Sequence, residues 1–338
     1  NQQTAIKILL NSLYGALGNK YFRYFTMEIA EGITLSGQMI IRWAEKAVNE
    51  YLNKALKNER PKDYVIAIDT DSVYVNLGEV VKASKITDKK KITDFLDKLC
   101  GDALESVLDK AFIQITENMN CFKKRLTMKR EAIADRAIWT AKKRYILNVL
   151  DNEGVRYAEP KLKIMGIEAI KSSTPSTCRE AFEELFKVLI SGTEAETQNF
   201  IQRYREKFDT LPPEDKAFPR GVSSVKEYQS RDTIYKKGTP INSRAAILYN
   251  HMLDKQGLKT YTPIRDGDKI KYIYLYPNNP LKEDVMGFVD VLPPEFKLHK
   301  FIDNDKQFEK AFLEPAKLIL DAIGWKAEPV ATLEDFFA

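Results

Sequence analysis

At 338 residues, 44% of them hydrophobic and 30% charged, the chain is long enough for two or three domains with real cores and has a soluble, globular composition. No apolar run approaches the ~18 residues of a membrane span; three scattered cysteines (Cys100, Cys121, Cys178) argue against a disulfide framework or zinc cluster, and two histidines (His251, His299) against His-based metal sites and triads. The net charge of +5 says little by itself, and a cytoplasmic location is expected.

Taken in order, the spacing first predicts a helix over 3–18. Ile6, Leu9, Leu10, Leu13 and Leu17 form its apolar stripe. Lys7, Asn11 and Tyr14, at i, i+4 and i+7, share another face with Gly15 beside them. Lys offers a point charge to phosphate, the phenol a flat wall for stacking, and Gly15 room for close approach. An ordinary exposed face is the alternative reading. Gly18-Asn19 closes this helix. A second helix over 28–57 is expected to bury Ile29, Ile33, Ile40, Ile41, Ala44 and Val48, and Arg60-Pro61-Lys62-Asp63 ends it.

Residues 64–68 and 73–77 are rich in β-branched and aromatic side chains and flank Asp69-Thr70-Asp71-Ser72, which predicts a β-hairpin with two carboxylates at its tip. Such close carboxylates repel one another unless a cation lies between them, and hard oxygens favour Mg²⁺ or Mn²⁺. A plain Asp-rich turn is the bland reading.

A basic stretch, 82–91, precedes a helix or helix pair over 92–118 with Phe95, Leu96, Leu99, Leu104, Leu108 and Phe112 inside. Strand-like pieces follow at 125–133 and 144–150, with a hairpin turn at 151–154. Between Cys121 and Tyr145 nine basic residues face two acidic ones, a local field suited to phosphate backbones, although charge runs are commonly just solvated faces. After Pro160 the character shifts through a linker at 171–175 to helices at 176–191, 194–208 and 243–255. Loops are expected at 220–222 and 236–240, a small sheet within 261–277, and a closing helix at 306–324.

Four motifs occur together and in order. Lys7-Ile-Leu-Leu-Asn11-Ser-Leu-Tyr14-Gly15, Asp69-Thr70-Asp71-Ser72, Lys142-Lys143-Arg144-Tyr145 and Lys236-Lys237-Gly-Thr-Pro240 resemble the fingers helix, palm hairpin, palm–thumb border and a thumb loop of family B DNA polymerases. The likeness covers essentially the whole chain, is strongest to the T-even phage branch, and is least specific after about Tyr261. It implies an α+β fold: a fingers helix and start of the palm over 1–57, a palm over 58–160 with an antiparallel sheet and packed helices, a mainly helical thumb over 161–330 with a small β region, and a tail over 331–338.

The resemblance also implies roles. Asp71, and less directly Asp69, are the metal-binding and catalytic carboxylates for a pair of Mg²⁺ ions, for which Mn²⁺ can substitute. Lys7 and Asn11 contact the incoming dNTP, Tyr14 and Gly15 pack on the nascent base pair, and Thr70 supports the tip. Lys143 and Tyr145 bear on the minor groove near the primer end, and Lys142 and Arg144 on adjacent backbone. Arg220, Lys237 and Arg244 are thumb candidates for duplex phosphates. Tyr145 as a strand core residue and Arg220 in a local pair are the structural alternatives. Leu333, Phe336 and Phe337 resemble the sliding-clamp-binding tail of phage replicases; a tail folded back on its own thumb is the alternative.

The family's other palm motif, DxxSLYPS, is absent, as are the exonuclease carboxylates and the leading fingers helix. One carboxylate-bearing hairpin does not clamp two ions. The chain is therefore expected to be a C-terminal portion of a DNA-directed DNA polymerase that is inactive alone and acts with a separate N-terminal chain, primer-template DNA, dNTP and a sliding clamp, in the host cytoplasm if phage-encoded. The competing reading is a non-catalytic DNA- and clamp-binding module, against which the intact Lys7, Asn11, Tyr14, Asp69 and Asp71 argue.

Overall fold

The structure, a computed structural model, describes residues 2–329. It is an α+β fold in two units, one built on the chain up to Asp135 with Val149–Lys161, the other on Arg136–Asn148 with the chain from Leu162 onward.

The first unit opens with α1 (Gln2–Leu17) and α2 (Met27–Ala55), within two residues of the predicted bounds. Their burial departs from expectation. No residue of α1 is buried, and Ile29 and Ile33 of α2 are about half exposed. The apolar stripe is real, but α2 finds most of its partners along its C-terminal half: Ala44, Val48 and Leu52 share a core with Leu108, Phe112 and Ile115 of α5 (Glu105–Asn118). The hairpin, β1 (Val65–Asp69) and β2 (Ser72–Val75), lays Ile68, Val73 and Val75 on the same core. A short α3 (Gly78–Ser84) and α4 (Lys89–Leu99) occupy the basic stretch and beyond. Asp88 starts α4 by accepting from the Lys91 amide at 2.9 Å. A π-helical turn, Cys100–Leu104, carries α4 into α5, so the predicted helix or helix pair is one interrupted helix.

Residues 125–131 are not a strand. Leu126 and Met128 pack on the core at alternating positions, which gives the segment its period of two, but regular strand pairing starts only at Ala132. The Arg130 amide instead donates to the Glu105 carboxylate at 3.2 Å. Strands β3 (Ala132–Ala141), β4 (Arg144–Asn152) and β5 (Val155–Met165) then form a three-stranded meander. Its second turn, Glu153-Gly154, has positive φ at both positions (52° and 86°), as a twisted two-residue hairpin requires. β5 runs past Pro160, where the character of the sequence was expected to shift, and ends at Met165; as an edge strand it tolerates a residue without an N–H.

In the second unit α6 (Ser176–Ser191) and α7 (Glu194–Thr210) match their predicted ranges closely. Thr193 and Glu196 close a capping box at the start of α7. A turn of helix, α8 (Pro213–Lys216), leads to β6 (Phe218–Gly221), at a position read as a loop. After α9 (Val225–Tyr228) and a two-residue ribbon of β7 (Gln229–Ser230) and β8 (Ile234–Tyr235) comes α10 (Ile241–Gln256). The small sheet has the order β10-β9-β6, with β9 (Lys269–Tyr274) central and β10 (Val285–Phe288) on one edge. Gly287 lets α10 lie directly on that sheet, since a Cβ there would meet the Ala245 carbonyl oxygen at 2.7 Å. The closing segment is α11 (Asn304–Phe308), a π-turn and α12 (Glu314–Asp321). Phe182, Phe186, Phe208, Phe308, Phe312 and Tyr204 form the aromatic centre of this core.

Candidate active site

The β1–β2 turn brings Asp69, Thr70 and Asp71 together. Asp69 pairs with Ser72 across the hairpin, leaving Thr70-Asp71 as the loop. The Asp71 amide donates to the Asp69 carbonyl at 2.6 Å, and Thr70 has φ 53°. An i→i+2 bond about a β-branched residue at positive φ is a strained local geometry of the kind found at ligand-binding tips. The Thr70 hydroxyl donates to Asp69 Oδ1 at 3.1 Å and the Ser72 hydroxyl to the Asp69 carbonyl at 3.1 Å, so the tetrad braces itself. Asp69 is half-buried and Asp71 exposed.

Among the described residues no cluster of three or more His, Cys, Asp or Glu could hold a metal ion. The two carboxylates still fit part of a Mg²⁺ site, because this ion is held by one or two carboxylates together with water and substrate phosphates.

The hairpin is anchored at its root. Asn49 of α2 accepts through Oδ1 from the Tyr64 amide at 2.8 Å and the Val65 amide at 3.1 Å. Asn53 accepts from the Lys62 amide and donates to the Lys62 carbonyl, both at 2.8 Å. The buried Tyr64 receives the Asn76 amide on its carbonyl at 2.7 Å, while its hydroxyl donates to Glu79 at 2.9 Å and accepts from Asn58 at 2.7 Å. Sequence reasoning missed this anchor. Its only sign is the Asn pair at i and i+4 on the last turns of α2.

Lys7, Asn11 and Tyr14 lie exposed along α1, as the helical spacing requires. A Cβ on Gly15 would meet nothing within 4 Å, so no packing inside the described chain demands glycine there.

The basic turn lies in the other unit. Lys142 and Lys143 form the β3–β4 loop, exposed, with Lys143 at φ 64°. Gly166, at φ 66°, fits against this turn, and a Cβ there would fall inside the van der Waals shell of the Lys143 carbonyl oxygen. Arg144 pairs with Glu168 at 3.4 Å. Tyr145 is a core residue of β4, 6% exposed, with its ring 6.0 Å from that of Trp139. Two of the three cations expected to meet duplex phosphates are engaged within their own unit: Arg220 donates to the Ser173 carbonyl and lies over the Phe218 ring, and Arg244 pairs with Asp284 at 2.7 Å. Lys237 is exposed beside Gly238, whose φ is 84°. Leu333, Phe336 and Phe337 lie outside the described residues.

The sequence profile of DNA polymerase family B matches residues 1–311. Among curated relatives, the DNA-directed DNA polymerase of Enterobacteria phage T4 is 32% identical over 346 aligned positions, and that of Escherichia phage RB69 34% over 347; each alignment covers 98% of this chain and 38% of the relative. The DNA polymerase of Pyrococcus glycovorans is 24% identical, covering 96% of this chain and 35% of its own length. The chain thus spans little more than a third of these relatives. With a family match over nearly its whole length and its fingers-, palm- and thumb-type motifs in family order, the chain belongs to DNA polymerase family B.

Proposed function

We propose that this chain is the C-terminal part, fingers helix through thumb, of a DNA-directed DNA polymerase, and that its centre is completed by an N-terminal polymerase chain carrying DxxSLYPS and the exonuclease. The observation that carries this reading is the acidic tip of the β1–β2 hairpin, two carboxylates two residues apart on a self-braced turn.

In this reading Asp69 and Asp71 hold divalent cations, Mg²⁺ or Mn²⁺, against the substrate. When bound, the cations supply charge neutralisation at the triphosphate and acidify the primer 3′-hydroxyl. Lys7 and Asn11 hold the dNTP phosphates, and Tyr14 with Gly15 forms a smooth wall against the new base pair. Lys143 bears on the minor groove near the primer end, Lys142 and Arg144 hold adjacent backbone phosphates, and Lys237, Arg220 and Arg244 hold duplex phosphates further along. The last two act after exchanging their present partners or by steadying the surface around them. Tyr145, seated in β4, acts by fixing the Lys142–Arg144 turn. Leu333, Phe336 and Phe337 engage a sliding clamp.

The bare α1 fits this reading, since its face asks for cover from polymerase sequence beyond these residues. Leu9 and Leu10 are 71% and 67% exposed on a helix with no buried residue, a face that ordinarily demands cover. Mixing the chain with an N-terminal chain bearing DxxSLYPS should yield Mg²⁺-dependent primer extension that Asp71→Ala abolishes. Extension by this chain alone, or extension indifferent to Asp71→Ala, would refute the proposal.

A further inference from the structure

We infer that Asn49 and Asn53 of α2 are positioning residues for the acidic turn: they set where Asp69 and Asp71 stand, although neither lies in any motif of the site. The inference rests on the reading of those aspartates as cation ligands.

The hairpin is a two-stranded sheet, and such a pair is marginal in water without support. Its apolar contacts through Ile68, Val73 and Val75 hold it against α2 and α5, but apolar packing is non-directional and does not fix a strand's position along a helix. Direction comes from hydrogen bonds. Asn49 takes two successive amides, of Tyr64 and Val65, on one oxygen, and its Nδ2 reaches Asp63 Oδ1 at 3.3 Å. Asn53 grips both polar groups of the Lys62 backbone, and its own Nδ2 also reaches the Asn49 carbonyl at 2.8 Å. One helical turn therefore holds four consecutive residues, 62–65, immediately before β1.

The far side of the root is closed by Asn76 and Glu79 on Tyr64. The register shift between Val65 and Ala67 begins at this anchor, so the anchored residue also fixes which side chains of β1 face the core. From Val65 the strand runs directly to Asp69. Losing the anchor frees the strand to slide or fray and lets the strained Thr70 turn relax away from its geometry.

The test uses the isolated chain and two readouts, amide hydrogen exchange in metal-free protein and Mn²⁺-induced broadening of the Asp69–Ser72 resonances. In Asn49→Leu, exchange at Val65 and Asp71 should rise at least tenfold and the Mn²⁺ midpoint should move about tenfold higher, as for residues that orient a ligand without touching the ion. Exchange in α6 and α10 should not change. Asn49→Asp keeps the acceptor oxygen but sets a carboxylate against Asp63, so it is paired with Asp63→Asn; that double variant should stay within about twofold of the parent. If Asn49→Leu fails to fold, Asn53→Ser carries the same comparison.

A folded Asn49→Leu or Asn53→Ser with parental exchange and midpoint at the tip overturns the inference, as does failure of the Asn49→Asp, Asp63→Asn double variant to recover. Asp71→Asn separates the two levels. If broadening at the tip survives it, the cation reading fails whatever the asparagine variants do; if broadening is lost while the asparagine variants behave as the parent, only the positioning role fails.

Discussion

Two uncharged residues, one packed against a charged motif and one within another, decide the shape of the turns that carry the charges. Gly166 sits where any side chain would collide with the Lys143 carbonyl, at a φ that disfavours other residues in any case. Gly166→Ala should cost about 2 kcal/mol or more, read as a fall in urea midpoint, because the main chain of the Lys142-Lys143 turn must move to admit the methyl. Thr70 presents the opposite case. Its β-branched side chain is held at φ 53°, a conformation that costs an L residue roughly 1–2 kcal/mol. Thr70→Gly should therefore unfold no earlier than the parent and gain up to about 1 kcal/mol, the added backbone entropy offsetting part of the relief. A clear loss of stability on denaturation would show that the Thr70–Asp69 hydrogen bond outweighs the strain.

Among elements, α4 and the β4–β5 hairpin are joined by charge. Asp151 of β4, fully buried, is paired with both Arg130 and Arg156, and it also accepts from the Gly154 amide at 3.1 Å. The same two guanidiniums reach Asp97, at 2.7 and 3.0 Å, and Arg156 reaches Asp94 at 3.1 Å. Burial works against the Asp151 charge, but the Gly154 amide and the two arginines together hold its carboxyl below the ordinary value. Removing the carboxylate leaves the Gly154 amide without its acceptor and takes one partner from each arginine, although both keep Asp97, so Asp151→Ala should cost about 1–3 kcal/mol at pH 7 in chemical denaturation. The sign with pH follows from the depressed value. The contribution is complete above the unfolded-state pKa near 4 and disappears as pH falls through the lower folded value. The gap between parent and Asp151→Ala should therefore narrow below about pH 4; a gap constant down to pH 2 would contradict the pairing.

The elements themselves were largely legible. Helices α1, α2, α6, α7 and α10 follow from a period of 3.6 and nearby stop signals, and β1–β2 from two β-branched runs about a polar tetrad. The same signal misled at 125–131, because alternation records which side chains touch a core and not whether the backbone has a strand beside it. It missed β6, whose Phe-Pro-Arg-Gly carries no strand signature and is a strand only because β9 lies alongside it.

For the molecule as a whole, the exposed α1 face yields a prediction that separates folding from assembly. Leu9→Glu with Leu10→Glu should leave the stability of the isolated chain within about 0.5 kcal/mol, since neither side chain is buried in it. The same pair should weaken association with an N-terminal polymerase chain at least tenfold, measured by calorimetry or by the concentration dependence of primer extension. Deleting residues 331–338 should leave distributive synthesis by the assembled pair intact and abolish the gain from a sliding clamp.

Four short motifs in order, the two long N-terminal helices and the acidic hairpin can all be read along the chain, and the resemblance those motifs carry implies the α+β class. Each is written in side-chain chemistry or in hydrogen-bonding periods that close within a few residues. Which half of α2 finds cover, the asparagine anchor at 62–65, the seating of Tyr145 and the engagement of Arg220 and Arg244 are different in kind. They depend on other segments arriving alongside, Lys62 nine residues on from Asn53 and Ser173 47 residues before Arg220, and burial or pairing of that sort is a property of the packed chain that no local pattern contains.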